Sequence, residues 1–313
     1  MLSLPKRMYF ASTRKCDLDC PFCAGADNTD TTKTNYAYAL SIMEKIKPVS
    51  VGIIGGEPIL TVDELIENFF KKYPTKTQTS IYSNGIHLDE ENIRKIEPYV
   101  DTIKISFDTT SKPILRSMRG TDKLEDIIRG IRLAKSSSMG TTLDFTLTYE
   151  NRGEARNVVD FARKENIGEV NVIRERPMKR LDWRLTPRDV MNAYREFSDY
   201  TKDTGIKLDV HDPLMGLLDP KSSEKCMVRS NYCIMVNNDG SIGPCPYIYK
   251  YVKGDFETLW NNDEFFNASR KVIRDEKCDS CKVETCNGGC RASSFDAFKE
   301  FKRDPWCFKD LLE

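Results

Sequence analysis

The sequence predicts an α/β fold: a partial (β/α)6 barrel of the TIM type followed by a small cysteine-rich domain. Short β-rich runs alternate with amphipathic helical runs from residue 7 to residue 174, which implies a parallel sheet with right-handed crossovers. Six such units, two fewer than a closed eight-unit barrel, leave the sheet open on one side. Cysteines are absent between Cys23 and Cys226 and crowd the chain after that, which separates the two domains.

The strand runs are RMYFAST (7–13), VSVGII (49–54), TSIYS (79–83), TIKISF (102–107), TLDFTLTY (142–149) and VNVI (170–173). In TIKISF the apolar Ile103, Ile105 and Phe107 recur with strand period. Between the strands lie helical patterns. Residues 35–47 carry Tyr36, Leu40, Met43 and Ile46 on one face, and Pro48 stops the run. Residues 62–73 carry Leu65, Ile66, Phe69 and Tyr73, with Thr61 and Glu64 spaced as a capping box. Residues 122–136 carry Leu124, Ile127, Ile128 and Ile131. A further helix over 187–203 has Val190, Tyr194, Phe197 and Tyr200 on one side, a stripe read as packing. The expected domains are a barrel core over 1–175, a linker with a helix over 176–225, and a C-terminal domain over 226–313.

At 313 residues the chain can bury a large core without disulfide staples. Lys plus Arg equals Asp plus Glu at 48 each, so no nucleic-acid partner is expected. No apolar run reaches the roughly 20 residues of a membrane span, and MLSLPKRMYF lacks the apolar core of a signal peptide. The expectation is a soluble, cytoplasmic protein. Eleven cysteines then point to metal or redox chemistry, since an odd number cannot all pair within the chain.

Barrel enzymes carry their chemistry at the C-terminal strand ends. After the first strand, CDLDCPFCAG places Cys16, Cys20 and Cys23. After the second comes Gly55-Gly56-Glu57-Pro58, and after the third Ser83-Asn84-Gly85. Ser106 and Asp108 flank Phe107 on the fourth, and the sixth runs into Arg174-Glu175-Arg176. Singly, each of these is an ordinary βα turn. Together with three cysteines on one loop they outline a ligand site. A zinc site would need a fourth ligand close by, and the chain has only two histidines, His87 and His211.

CxxxCxxC after the first strand, Phe22 before its last cysteine, GGEP after the second strand and Ser-x-Asp on the fourth resemble the radical S-adenosylmethionine (radical SAM) enzymes over residues 5–175. The resemblance implies that Cys16, Cys20 and Cys23 hold three irons of a [4Fe-4S] cluster and are the catalytic cysteines. The fourth iron then chelates S-adenosylmethionine, and one electron from the cluster cleaves it to a 5′-deoxyadenosyl radical. It also implies cofactor-binding roles. Glu57 would meet the methionyl amine, Gly55 and Gly56 would allow close backbone approach, and Pro58 would belong to the same cofactor-binding segment. Ser83 and Asn84 would lie at the rim, with Phe22 near the adenine. Ser106 and Asp108 would face ribose hydroxyls or the carboxylate, and Arg119 and Arg174 a carboxylate. One departure is Thr109 after Asp108, where relatives often carry Gly.

The remaining cysteines are Cys226, Cys233, Cys245, Cys278, Cys281, Cys286, Cys290 and Cys307. Gly240 and Cys245 form Gly-x4-Cys, and KCDSCKVETCNGGC gives Cys-x2-Cys-x4-Cys-x3-Cys. This resembles the SPASM extension of radical SAM enzymes, one residue short of its usual central spacing. The resemblance implies two auxiliary [4Fe-4S] clusters, the nearer on Cys226, Cys233, Cys245 and Cys290 and the outer on Cys278, Cys281, Cys286 and Cys307. Three plus four plus four uses all eleven cysteines. A structural zinc module, or a free Cys226 that donates a hydrogen atom, are the alternatives.

Closed clusters suit electron transfer, so the signature favours net oxidation through the auxiliary clusters over isomerisation. The implied substrate is a ribosomally made peptide that receives a cross-link or another oxidation. The alternative is dehydrogenation, epimerisation or rearrangement of a sugar, nucleoside or amino-acid-like metabolite. A third reading, an iron–sulfur carrier without a substrate, does not explain GGEP. An external one-electron reductant of the flavodoxin or ferredoxin type is implied. With the first strand beginning at residue 7, no fused leader-binding domain is expected, and a separate leader-recognition protein is a candidate partner. Pro246 stands where sulfatase-maturing relatives carry an acidic residue, which argues against that activity. The arginine-rich stretch RERPMKRLDWR (174–184) would offer cations to a carboxylate, a phosphate or an acidic peptide. Glu175, His211, Asp212 and the tyrosines are candidate proton acceptors.

Overall fold

The computed structural model of the chain describes residues 2–23, 25, 27, 29–73, 77–176, 184–221, 226–281, 283 and 286–312. The six expected strands form as β1 (Arg7–Thr13), β2 (Ser50–Gly55), β3 (Gln78–Ser83), β4 (Thr102–Ser106), β5 (Gly140–Leu147) and β6 (Glu169–Arg174). Three more join them: β7 (Lys207–Val210), β8 (Cys233–Val236) and β9 (Ile242–Gly243). The sheet order is β7-β6-β5-β4-β3-β2-β1-β8-β9, parallel throughout except for the antiparallel β8–β9 pair. Among the described residues the sheet does not close, and its two edges are β7 and β9.

Both ends of the sheet depart from the expected domain borders. Residues 176–225, expected as a linker, supply β7, which pairs with β6 from Lys207 to Val210. Cys233, expected in a separate module, opens β8 and stands opposite Arg7 of β1. The C-terminal region is therefore hydrogen-bonded into the barrel sheet.

The crossovers are α1 (Tyr36–Ile46), α2 (Val62–Asn68), α3 (Glu90–Ile96), α4 (Lys112–Arg119), α5 (Leu124–Ser136), α6 (Ala155–Lys164) and α7 (Pro187–Thr201). The expected capping box at Thr61 does not form, because a short 3-10 turn over Pro58–Thr61 precedes α2 and the Thr61 hydroxyl turns back to the Pro58 carbonyl. A capping box does form at Thr186 and Asp189, which starts α7.

Strand period divides the sheet into two faces. Met8, Phe10, Val51, Ile53, Ile103, Ile105, Leu143, Phe145, Val170 and Val172 share one buried cluster with the inward faces of the helices. Phe10 stacks on Phe69 at 5.1 Å and meets Tyr36 edge-on at 5.8 Å. The opposite face carries Tyr9, Ala11, Ile54, Tyr82, Met235 and Tyr251 in a second cluster. Farther along, the alternate residues Lys104, Asp144 and Asn171 make this inner face polar. Asn171 Nδ2 donates to Asp144 Oδ1 at 2.7 Å, and Lys104 Nζ lies 5.7 Å from the Tyr82 ring centre. Burial raises the Asp144 carboxyl above its ordinary range, against the pull of Lys104. Among the described residues no helix is long and apolar enough to cross a membrane.

Candidate functional site

Cys16, Cys20 and Cys23 leave the C-terminal end of β1 in a turn closed by Cys23 N–H on the Cys20 carbonyl at 3.0 Å. Leu18 N–H donates to the Cys16 sulfur at 3.4 Å. Burial pushes the Cys16 thiol up to about 12, with the Leu18 N–H opposing it. Burial likewise raises Cys20, against the nearby Arg119 guanidinium. Bare thiols here stay protonated, and a bound cation is what would take their protons off.

Three strand ends clamp this loop. The N–H groups of Gly56 and Glu57 donate to the carbonyls of Thr13 (2.8 Å) and Lys15 (2.7 Å). A Cβ on Gly56 would stand 2.1 Å from the Lys15 oxygen, and one on Gly55, whose φ is +152°, 2.3 Å from the Thr13 oxygen. Only glycine lets the second strand end lie this close to the cysteine loop. The Asn84 side chain donates to Asp17 Oδ1 at 2.8 Å, and His87 Nε2 meets Asp17 Oδ2 at 2.9 Å.

Several residues expected to contact the cofactor are hydrogen-bonded within the fold. Glu57 is fully buried, and its oxygens accept the N–H groups of Ile59 (3.1 Å) and Asn84 (2.6 Å). Pro58 is buried at the start of the adjoining 3-10 turn. Ser83 Oγ accepts Gly85 N–H, and Asn84 Oδ1 accepts Ile86 N–H, so both close the turn after β3. Asp108, also buried, accepts Thr146 N–H at 2.7 Å and the Arg119 Nε, so these two expected ligand groups pair with each other. The Arg119 guanidinium then lies 5.4 Å from the Phe22 ring centre, beside the cysteine loop. Ser106 stays half-buried on the inner face.

Arg174 is likewise buried. Its Nε donates to Asp212 Oδ2 at 2.9 Å, and Nη1 and Nη2 donate to Asp304 Oδ1 (3.1 Å) and Oδ2 (2.8 Å). None of the three side chains is exposed. Asp304 also accepts the N–H of Cys290 at 2.9 Å, so the network bolts the sixth strand to the C-terminal cysteines. Asp212, a candidate proton acceptor, also accepts the Tyr194 hydroxyl at 2.8 Å. His211 pairs with Asp209 at 3.1 Å and lines a cavity of about 540 Å³ with Arg7, Gln78, Thr102, Glu169 and Lys207, the first residues of five strands and thus the end opposite the cysteine loop. Of RERPMKRLDWR, residues 177–183 lie outside the described residues. Arg184 pairs with Glu150.

None of the eleven cysteines is in a disulfide. Cys226, Cys233, Cys245 and Cys290 converge: beyond burial, Cys290 raises Cys226, Cys226 raises Cys233, and Cys233 and Cys290 raise Cys245. Cys278, Cys281, Cys286 and Cys307 line one small recess. Backbone N–H groups aim at sulfurs in all three sets: Leu18 at Cys16, Tyr247 at Cys245, Lys309 at Cys307, and Val228 and Arg229 at Cys226. Such N–H···S bonds tune cluster thiolates. Among the described residues no group of three or more Cys, His, Asp or Glu is placed to hold a single metal ion. Beside Cys23 a cavity of about 350 Å³ opens, lined by Gly55, Arg14, Asn238, Met235, Tyr249 and Tyr251 among others.

Sequence reasoning did not single out Tyr247, Tyr249 and Tyr251 in CPYIYKY, although their spacing of two already put them on one face. Nor did it single out Asp144, a carboxylate inside an otherwise apolar strand run. Asp304 has no local signal.

Comparison with known proteins agrees with this geometry. Residues 10–162 match the Radical SAM superfamily. A probable GTP 3′,8-cyclase of Sulfurisphaera tokodaii is 28% identical over 172 residues, covering 53% of this chain and 55% of the relative. A second probable GTP 3′,8-cyclase, from Saccharolobus solfataricus, is 24% identical over 202 residues, covering 62% of this chain and 64% of the relative. The chain thus spans little more than half the length of the first of these relatives. Among solved structures, Streptococcus suis SuiB bound to precursor peptide SuiA superimposes with a TM-score of 0.75 at 18% identity, over 98% of this chain and 76% of SuiB. Native anSMEcpe with bound AdoMet gives 0.78 at 19%, over 97% of this chain and 95% of that one. The fold is that of these neighbours' partial barrels, and residues 10–162 are similar to the Radical SAM superfamily.

Proposed function

We propose that the chain is a radical SAM enzyme with three [4Fe-4S] clusters that oxidises a ribosomally made peptide. The observation that carries this reading is the gathering of eleven cysteines, none in a disulfide, into one set of three and two sets of four, with Cys23 of the set of three beside a cavity. When bound, the open cluster and S-adenosylmethionine supply a radical that removes a hydrogen atom from the substrate. Cys16, Cys20 and Cys23 would hold that cluster, and the buried Arg119–Asp108 pair would steady the charge beside Cys20. Gly55, with Tyr249 and Tyr251 across the cavity, would bound the space for cofactor and substrate. The inner set would take up the electron that an oxidised product must lose, and the outer set would exchange electrons with a flavodoxin- or ferredoxin-type partner. A 226–313 SPASM-type module fits this division of labour, although the sheet continues into it.

A second reading, a nucleotide substrate, is favoured by the curated relatives named as GTP 3′,8-cyclases. The two separate in one assay. Anaerobic, reconstituted protein is given S-adenosylmethionine and dithionite with either GTP or a short peptide encoded beside its gene. Peptide-dependent 5′-deoxyadenosine with loss of two hydrogens from the peptide supports the first reading. Stimulation by GTP alone, with a cyclised nucleotide product, replaces it with the second.

A further inference from the structure

Three guanidiniums stand around the inner cysteine set with hydrogen-bonding capacity left over. Arg176, 6% exposed, donates from Nη2 to the Cys290 sulfur at 3.0 Å and lies 4.4 Å from the Tyr247 ring centre, yet its buried Nε has no partner. Arg291, next after Cys290 and 1% exposed, bonds the carbonyls of Lys271 and Asn287 through Nη2, and its Nε is likewise buried and unpartnered. Arg229 turns its backbone N–H towards Cys226 while its side-chain Nε is buried without a partner. Among the described residues none of the three is ion-paired to a carboxylate. Asp296 lies within electrostatic reach of Arg176, but its Oδ2 is also unpartnered.

Buried cations without counterions are costly, so this arrangement calls for an anionic group. Among the described residues these three cations face one carboxylate, which leaves two positive charges, and an oxidised cubane on four thiolates carries two negative ones. The outer set differs. Asp212 and Asp304, both paired with Arg174, bear on Cys286, which Arg291 also reaches, and Arg303, which bonds Cys307, is itself paired with Asp275, which bears on Cys278.

We propose that Arg176, Arg229 and Arg291 hold the inner group at a higher reduction potential than the outer group, with Arg176 as the positioning residue acting through Cys290. This rests on the reading that both four-cysteine sets carry clusters. Reduction adds one negative charge, and both nearby cations and N–H···S bonds stabilise the reduced form. Burial opposes this, since it penalises the more highly charged state, but the guanidiniums act at contact distance in the same low dielectric. Under partial reduction the inner group therefore fills first, as a one-electron acceptor for substrate oxidation must.

The test is an anaerobic redox titration of the reconstituted full chain, followed by electron paramagnetic resonance and iron content. Cys281→Ala assigns the outer signal and Cys20→Ala the open one. The inner midpoint is expected to be the more positive of the two auxiliary ones. Arg176→Met should move it negative while the outer midpoint stays put, and Arg176→Lys should recover part of the shift. Should Arg176→Met fail to fold, Arg229→Met reads the same direction of shift. With wild-type iron near the ~12 per chain of three cubanes, an inner midpoint at or below the outer one, or one unmoved by both Met variants, overturns this inference alone. Wild-type protein with only about 4 irons per chain and no auxiliary signal overturns the underlying reading, and the inference with it.

Discussion

Glu57 Oε2 accepts the backbone N–H of Asn84 at 2.6 Å, while Oε1 accepts that of Ile59 at 3.1 Å. One buried carboxylate thus ties the end of β3 to the end of β2 beneath the cysteine loop. Glu57→Gln turns one of these contacts into donor against donor and should cost about 1–3 kcal/mol. Thermal unfolding should show that loss, together with less iron on the open set.

The same carboxylate predicts a pH dependence. Burial is the main cause, opposed by the two N–H bonds, and it pushes the Glu57 carboxyl up from 4.5 to about 7. The folded state therefore binds a proton that the unfolded chain has released. Stability from this group is full below pH 4.5 and declines as pH rises towards about 7. Unfolding measured across that window should show the decline in wild type, and a flatter profile in Glu57→Gln.

Two glycine substitutions should part company. An alanine at Gly56 drives its Cβ to within 2.1 Å of the Lys15 carbonyl, so backbone must move. Gly120 also has a positive φ, +68°, but nothing lies within 4 Å of its Cβ position. Gly120→Ala should cost about 1–2 kcal/mol from left-handed backbone strain, with iron content unchanged. Gly56→Ala should cost more and empty the open set. Equal effects in chemical denaturation would contradict the close-approach account.

Asp304→Ala should cost about 3–5 kcal/mol, because it strips one partner from the buried Arg174. It also frees the Cys290 N–H, so auxiliary iron should fall while the open set's iron stays. Urea unfolding and iron assay on the same preparation check both parts.

Much of the fold was legible in the sequence because six strand runs carry their own period. In TIKISF the alternation of Ile103 and Ile105 with Lys104 alone sets which side meets the helices. The edges were not legible. KLDV at 207–210 and CIMV at 233–236 are four residues each, too short for a period, and only pairing with β6 and β1 makes them strands. In the site, the cysteines were legible because ligand chemistry fixes residue type and spacing. The partners of Glu57, Asp108 and Arg174 were not. Each was a polar residue at a strand end, where a ligand contact and a buried strut look alike. Distances such as Arg174 to Asp304 span 130 positions of chain, which local pattern does not encode.

Electron relay through the C-terminal sets separates radical formation from product formation. Cys281→Ala should retain some S-adenosylmethionine cleavage but give less product per 5′-deoxyadenosine. An unchanged ratio, measured by chromatography of both, would remove the relay.

Reductive cleavage of S-adenosylmethionine by the reconstituted protein tests the central claim most directly. With three cubane clusters, wild type should bind about 12 irons per chain and release 5′-deoxyadenosine with a strong reductant, and Cys20→Ala should release none. Protein that binds its irons yet yields no 5′-deoxyadenosine would contradict the account and leave an iron–sulfur carrier in its place.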